Sequence, residues 1–288
     1  LTRGDNPMRV DANTDLFCVL GQPVAHSKSP VMHNAAFAEM RVNGVYVALA
    51  VTDIGAAMRA VRTLGISGAS VTIPHKASIM EHLDEVDGTA RKIGAVNTVV
   101  NRNGNLRGVN TDWQGAARAL SEKTEISGKQ VLLLGAGGAA RAVAYGIVAE
   151  GGRLLIANRT VSRGEQLAGE FGGRAMSMTE AESLAADGGI EILINTTSVG
   201  MTPGEKVSPV SGTCLKRGMT VMDIVYNPLE TSLLKMAREA GCRIVDGATM
   251  FVYQGACQFE LWTGARAPLP VMRRVLLNEL VADDSKNR

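Results

Sequence analysis

The sequence predicts an α/β protein of two domains, one of them an open, doubly wound parallel sheet. Three observations carry this. A length of 288 residues suits two ordinary domains. Apolar runs of strand length alternate with longer, helix-like segments along most of the chain. Between Gln130 and Thr160 an apolar run meets a glycine cluster, an alanine-rich segment and a second apolar run. That order is strand, glycine turn, helix, strand, the βαβ unit that takes dinucleotides.

Composition narrows the function classes. Apolar residues make up 45% and charged residues 20%, enough for a sizeable core and against disorder. The net charge of +2 comes from interspersed residues, and aromatics are only 4%, so neither a basic stripe nor a base-stacking platform supports a nucleic-acid role. No apolar run is long enough to span a bilayer, and no secretory signal is read. Cys18, Cys214, Cys242 and Cys257 are scattered without metal-ligand spacing, so no metal is expected. Cys18, Cys242 and Cys257 sit in apolar patterns and are expected to be small buried residues in a reducing, cytoplasmic setting. Leu1 to about Asn13 is expected to be an expression remnant or frayed tail, with a native start near Met8.

The first domain is expected over residues 1–112. Leu16–Leu20 is a strand running into the turn Gly21-Gln22-Pro23. Ser29 followed by Pro30 predicts an N-cap and first turn for a helix over Val31–Met40. Ser27 is not needed for that cap, and two hydroxyls two residues apart could grip a polyhydroxylated ligand. Tyr46–Val51 and Ala69–Ile73 are strands, with a helix over Ile54–Leu64 between them. Thr72 and Lys76 follow a strand's carboxyl end, where open α/β sheets bind ligands. Pro74 predicts a helix start with Lys76 in its first turn, a position where a cation opposes the helix dipole and gains little as a surface residue. Gly94–Val100, Asn103-Gly104 and Leu106–Val109 predict a hairpin, on the Asn-Gly turn. Thr111 or Asp112 could cap the next helix, Trp113–Glu122; Asp112 could equally serve as a carboxylate beside a lysine, an acid/base pair whose titrations depend on each other.

Residues 113–247 form the expected nucleotide domain. Val131–Leu134 is the first strand, and Gly135, Gly137 and Gly138 let the backbone turn and approach a pyrophosphate at a helix N-terminus. Ala140 stands at the third glycine of the pattern, which tolerates alanine. The second strand, Leu154–Ala157, ends in Asn158, Arg159 and Thr160 with Arg163 one helical turn on, and no carboxylate. A carboxylate would repel a ribose 2′-phosphate and an arginine pair would grip it, so the cofactor read is NADP rather than NAD. Ile192–Ile194, Val221–Val225 and Arg243–Val245 are further strands; Leu229–Ala240, Met250–Thr263 and Leu269–Val281 are helices, and Thr202–Ser211 is a loop.

The ordered set HSKSP, VTIPHK, GAVNT, GVNTDWQG, GAGGAAR, ANRT, NTTSVGM, DIVYNP and QGACQFELW resembles the shikimate dehydrogenase family across nearly the whole chain. The resemblance implies a Rossmann-type NADP-binding domain, an N-terminal α/β substrate domain, and C-terminal helices over 248–288 that return to the first domain. It implies reversible reduction of 3-dehydroshikimate to shikimate with NADPH, by a monomer or homodimer. Ser27 and Ser29 are similar to a substrate-carboxylate pair, and Thr72, Asn97 and Asp112 to ring-hydroxyl ligands. Lys76 with Asp112 matches the catalytic pair, and Tyr226 and Gln254 match substrate-contacting positions. Gly135, Ala136, Gly137, Gly138 and Ala139 resemble the diphosphate loop. Asn158, Arg159, Thr160 and Arg163 resemble the 2′-phosphate clasp, and Ile224, Gly247 and Met250 the lining of the nicotinamide pocket. In this role Lys76 either transfers a proton or stabilises an oxyanion as a cation; both stay open. Rival readings are a quinate/shikimate dehydrogenase using NAD(P), against which Ser29 and Arg159 lean, a methylene-tetrahydrofolate dehydrogenase-like enzyme, and a non-catalytic NADP-binding sensor.

Overall fold

The structure, a computed structural model, describes residues 10–202, 204 and 207–286. Leu1–Arg9, most of the expected tail, lie outside the described residues. The tail does not extend to Asn13: Asn43 donates to Asp11 Oδ1 at 3.1 Å and accepts from the Thr14 hydroxyl at 2.8 Å. The described residues form two compact units. One holds residues through Lys92, Val96–Asn110 and Gly255–Leu276; the other holds Ile93–Ala95, Thr111–Gln254 and Leu277 onward.

The first unit is built from β1 (Asp15–Gly21), α1 (Ser29–Met40), β2 (Gly44–Ala50), α2 (Ile54–Thr63), β3 (Gly68–Val71), a 3₁₀ turn (Ser78–His82), β4 (Glu85–Val86), α3 (Gly88–Ile93), β5 (Thr98–Arg102) and β6 (Asn105–Val109). Its sheet runs β2-β1-β3-β5-β6-β4. β1 pairs in parallel with β2 and β3, and β5 runs antiparallel to β3 and β6. The predicted hairpin is present, with Asn103 and Gly104 both at positive φ as a two-residue primed turn requires. Cys18, Leu20, Met58, Val61, Val99 and Leu106 share one buried cluster. Elsewhere in the unit Phe17 and Phe37 pack with ring centroids 4.9 Å apart, and His33 stacks on Tyr46 at 4.6 Å. Both His33 ring nitrogens are buried without a partner among the described residues, and burial holds its pKa down at about 3, so it packs as a neutral ring.

The second unit holds α4 (Asp112–Ser121), β7 (Gln130–Leu134), α5 (Gly138–Ala149), β8 (Arg153–Ala157), α6 (Val161–Phe171), β9 (Arg174–Met176), α7 (Met178–Ala186), β10 (Ile192–Asn195), β11 (Thr220–Asp223), α8 (Ser232–Glu239) and β12 (Arg243–Val245). α9 (Gly247–Thr263) and α10 (Leu269–Lys286) are divided between the units. The sheet is wholly parallel, in the order β12-β11-β10-β7-β8-β9, with β7 at the point where the winding reverses. β7 shows why this run is continuously apolar. Val131 and Leu133 enter one buried cluster and Leu132 and Leu134 another, so both faces are covered.

Several local expectations change. Lys28, in helical conformation and without a side-chain cap bond, precedes α1, so Ser29 is its first residue rather than its cap. Lys76 lies in a turn before the 3₁₀ segment, not in a helix's first turn, so the dipole argument does not apply to it. Thr111 occupies the N-cap of α4 without a side-chain cap bond, and Asp112 is the first helical residue. Cys242 and Cys257 are only half-buried, whereas Cys214 is buried.

Candidate active site

In the first unit three loops meet at the carboxyl ends of β1 and β3. The Thr72 amide donates to Leu20 O at 2.9 Å, and Gln22 donates to Ile73 O at 3.0 Å. A Cβ on Gly21 would lie 2.3 Å from Thr72 Cγ2, so only glycine lets these ends approach. Val71 donates to Asn97 O at 2.8 Å, and Val96 donates to Lys76 O at 2.7 Å. The backbone therefore brings Thr72, Lys76 and Asn97 together. His75 Nε2 lies 2.7 Å from Val51 O and ties the lysine loop to the end of β2. The serine pair works in the reverse sense to the sequence reading: Ser27 Oγ accepts from the Ser29 amide at 3.3 Å, while the Ser29 side chain is buried. Ser70 and Ser29 hydrogen bonds only partly offset the rise that burial imposes on the Tyr46 pKa.

In the second unit Gly135 adopts φ +107°, and a Cβ there would crowd Thr196 Oγ1 at 2.9 Å. Gly137 precedes α5 and Gly138 opens it. A Cβ at either would meet nothing within 4 Å, so their absence of side chains leaves room above the helix N-terminus. The first turn of α5 has no acidic residue and no side-chain cap, which leaves its amides and positive dipole end to an anion. Ala140 is fully buried, the position where a close helix–strand approach demands a small residue.

β8 delivers the second group. Asn158 Nδ2 donates to Thr160 O at 2.8 Å, and Thr160 is the N-cap of α6 in extended conformation. Arg159, Thr160 and Arg163 are exposed, and neither arginine has an ion-pair partner among the described residues. A helix N-terminus flanked by two such arginines suits a phosphate dianion.

The third group surrounds the end of β11. Ile224 and Met250 pack into the same cluster as β7. A Cβ on Gly247 would lie 2.5 Å from both Ile224 O and Val225 O, so no side chain fits there. Tyr226 packs on Phe251 at 4.9 Å, and burial raises its pKa. A Cβ on Gly115 would sit 2.8 Å from Gln254 Cβ, so α4 and α9 touch at the backbone one turn after buried Asp112. Asp223 escaped the sequence reading. Its Oδ1 accepts from Val225 N at 3.1 Å and Asn195 Nδ2 at 3.0 Å, and Oδ2 from the Thr231 hydroxyl at 2.7 Å. It thereby holds the segment carrying Ile224 and Tyr226. Burial pushes its pKa up to about 6. An acidic residue closing an apolar strand was the available signal.

Ser27, Ser29, Thr72, Lys76 and Asn97 thus belong to the first unit. Asp112, the glycine loop, Asn158 to Arg163, Ile224, Tyr226, Gly247, Met250 and Gln254 belong to the second. A 3-2-1-4-5-6 parallel sheet with a bare glycine loop, accompanied by an α/β unit presenting hydroxyls and a lysine, defines the class: a dinucleotide-dependent oxidoreductase of the Rossmann type. Residues 19–99 match the shikimate dehydrogenase substrate binding domain, 117–224 the shikimate / quinate 5-dehydrogenase model, and 247–277 the shikimate 5′-dehydrogenase C-terminal domain. The NADP(+) shikimate dehydrogenase of Moorella thermoacetica is 46% identical, over 93% of this chain and 95% of its own. A crystal structure of a shikimate dehydrogenase in complex with NADP+ superposes with TM-score 0.90 at 41% identity, covering 96% of this chain and 99% of the other. The Thermus thermophilus enzyme in complex with NADP(H) and shikimate gives TM-score 0.85 at 36% identity, with 91% and 98% covered. The chain belongs to the shikimate dehydrogenase family. A quinate dehydrogenase from Corynebacterium glutamicum in complex with NAD shares the fold at TM-score 0.84 and 32% identity, covering 92% of this chain and 99% of its own. No described helix is long and apolar enough to cross a membrane.

Proposed function

We propose that this chain catalyses the reversible, NADPH-dependent reduction of 3-dehydroshikimate to shikimate. The single observation that carries the cofactor half is the exposed Arg159 and Arg163 at the start of α6, where an NAD site would carry a carboxylate. The bare faces of Gly137 and Gly138 fit the pyrophosphate of that cofactor. Bound NADPH supplies a hydride to the ketone carbon. The chain's own groups do the rest. Ser27 and Ser29 hold the substrate carboxylate, and Thr72, Asn97, Tyr226 and Gln254 the remainder of the ring. Lys76 gives its proton to the oxygen that develops charge, and Asp112 orients the pair; proton transfer of this kind contributes ~10²–10⁴-fold. The product is a ring alcohol, and in the reverse direction Lys76 takes the proton back.

Four free cysteines support a reducing, cytoplasmic compartment. The proposed assembly is a monomer or homodimer, settled by light scattering. Paired kinetics test the assignment. Shikimate with NADP+ should give the highest kcat/KM of four combinations, the others being shikimate with NAD+ and quinate with either nucleotide. Quinate with NAD+ as the best pair would refute it.

A further inference from the structure

We propose that Asp223 is a positioning residue: with Asn195 it locks together the two strand ends that underlie the nicotinamide half of the cofactor site. The inference rests on the functional reading above, and every residue it uses lies in the second unit. The sheet order locates that half. The arginines read as the 2′-phosphate clasp follow β8, on one side of β7, and the glycine loop follows β7 itself. A dinucleotide laid across the carboxyl ends at the switch point then carries its second nucleotide over β10 and β11, on the other side. Asn195 and Asp223 are the last residues of those two strands and are partners in register.

Both residues are fully buried, and backbone groups fix which way the Asn195 amide faces. The Thr197 amide can only donate, and it meets Asn195 Oδ1 at 3.0 Å. The Asn195 NH₂ group therefore donates on the other side, to Val199 O at 3.3 Å and to Asp223 Oδ1 at 3.0 Å. The same Asp223 oxygen accepts from Val225 N at 3.1 Å, and Oδ2 accepts at 2.7 Å from the hydroxyl of Thr231, the N-cap of α8. The residue after Asn195 leads on to the glycine loop. Thr196 donates to Leu134 O from its amide at 2.9 Å and from its hydroxyl at 2.6 Å, and its Oγ1 would crowd a Cβ on Gly135. One carboxylate thus ties the backbone after β11 to the loop after β10 and, through that loop, to the turn after β7. Cutting it lets the first two part beneath the nicotinamide, while the clasp beyond β8 keeps its own contacts.

The test uses the full-length protein. Asp223→Ala removes the carboxylate, and Asn195→Ala removes only its bridge to the β10 loop. Each is titrated with NADP+ and with 2′-phospho-ADP-ribose, which is NADP+ without its nicotinamide; kcat for shikimate oxidation and the melting temperature are read alongside. Both variants should bind NADP+ about fivefold more weakly, bind the fragment as wild type does, and lose about tenfold in kcat per folded molecule. Asp223→Asn should restore both values, because its amide oxygen can take the Val225 and Asn195 bonds while its NH₂ donates to Thr231. Equal losses for NADP+ and the fragment would overturn the proposal. So would a lowered melting temperature with wild-type NADP+ affinity and kcat, or an Asp223→Asn variant as impaired as Asp223→Ala. If Asp223→Ala does not fold, Asn195→Ala carries the same comparison. A wild-type chain that binds NADP+ but leaves shikimate untouched would overturn the functional reading alone, since the two titrations still decide the lock.

Discussion

Replacing Arg159 by alanine should separate the two nicotinamide dinucleotides. The residue lies just beyond the end of β8, next to the N-cap of α6, with Arg163 in that helix's first turn. Both are exposed, so each phosphate contact takes the low end of the range for a charge-assisted hydrogen bond, about 1.5 kcal/mol. That is slightly more than tenfold in affinity per arginine, and about a hundredfold for the Arg159→Ala, Arg163→Ala double variant if the two act independently. NAD+ has no 2′-phosphate, so its affinity should not change. The fold should be indifferent, since neither side chain packs in a core. Isothermal titration of each variant with NADP+ and NAD+ gives both numbers. Raised salt should shrink the NADP+ effect, because exposed charges are screened. Equal losses for NADP+ and NAD+ would refute the reasoning, since the arginines would then be holding the helix or loop rather than the phosphate. An unchanged NADP+ affinity would refute it from the other side.

Three further outcomes follow from the geometry. Gly137 has φ −92° and ψ −170°, which any residue adopts, and open space at its Cβ. Gly137→Val should therefore keep its melting temperature yet weaken NADP+ and NAD+ alike by roughly tenfold, read by titration. Gly247→Ala places a methyl 2.5 Å from two backbone oxygens and should cost about 1–3 kcal/mol in urea unfolding. Asp223 should make stability depend on pH. Its folded pKa, raised from 3.8 to about 6, gives stability that is present below the unfolded value and lost as pH rises through the folded one. The shift corresponds to about 3 kcal/mol, so Asp223→Asn should gain about that much on wild type between pH 4 and pH 7; a pH-independent difference in urea midpoints would contradict it.

What was legible in the sequence follows from the range over which each signal acts. β7, the glycine turn and α5 were legible because strand burial, turn conformation and helix start all lie within contiguous residues. Asn103-Gly104 announced its hairpin for the same reason. Short or weakly patterned elements were not read. β4 has two residues, and α7 lacked a strong apolar stripe, although Ser177 and Glu180 form a capping box that was there to be seen. The dipole argument for Lys76 failed because Pro74 starts a turn rather than a helix. Ser29 does not cap α1 as expected: Lys28 occupies the cap position and Ser27 Oγ accepts from the Ser29 amide, a backbone detail that only the conformation of Lys28 shows. The buried hydrogen bond from Ser70 to Gln258 was beyond reach, because it joins residues 188 positions apart and no local pattern marks such a pair. Asp223 was readable as a carboxylate at a strand end, but nothing in the sequence says that its three partners are an amide, a hydroxyl and a backbone N–H.

The most direct measurement is the rate of NADP+ reduction when shikimate is added to the wild-type chain and to Lys76→Ala, side by side and with nucleotide affinity checked in both. The account predicts robust turnover in the first, a loss of ~10²–10⁴-fold in kcat for the second, and near-equal NADP+ binding. Turnover close to wild type without Lys76, or none with it, would contradict the account at its centre.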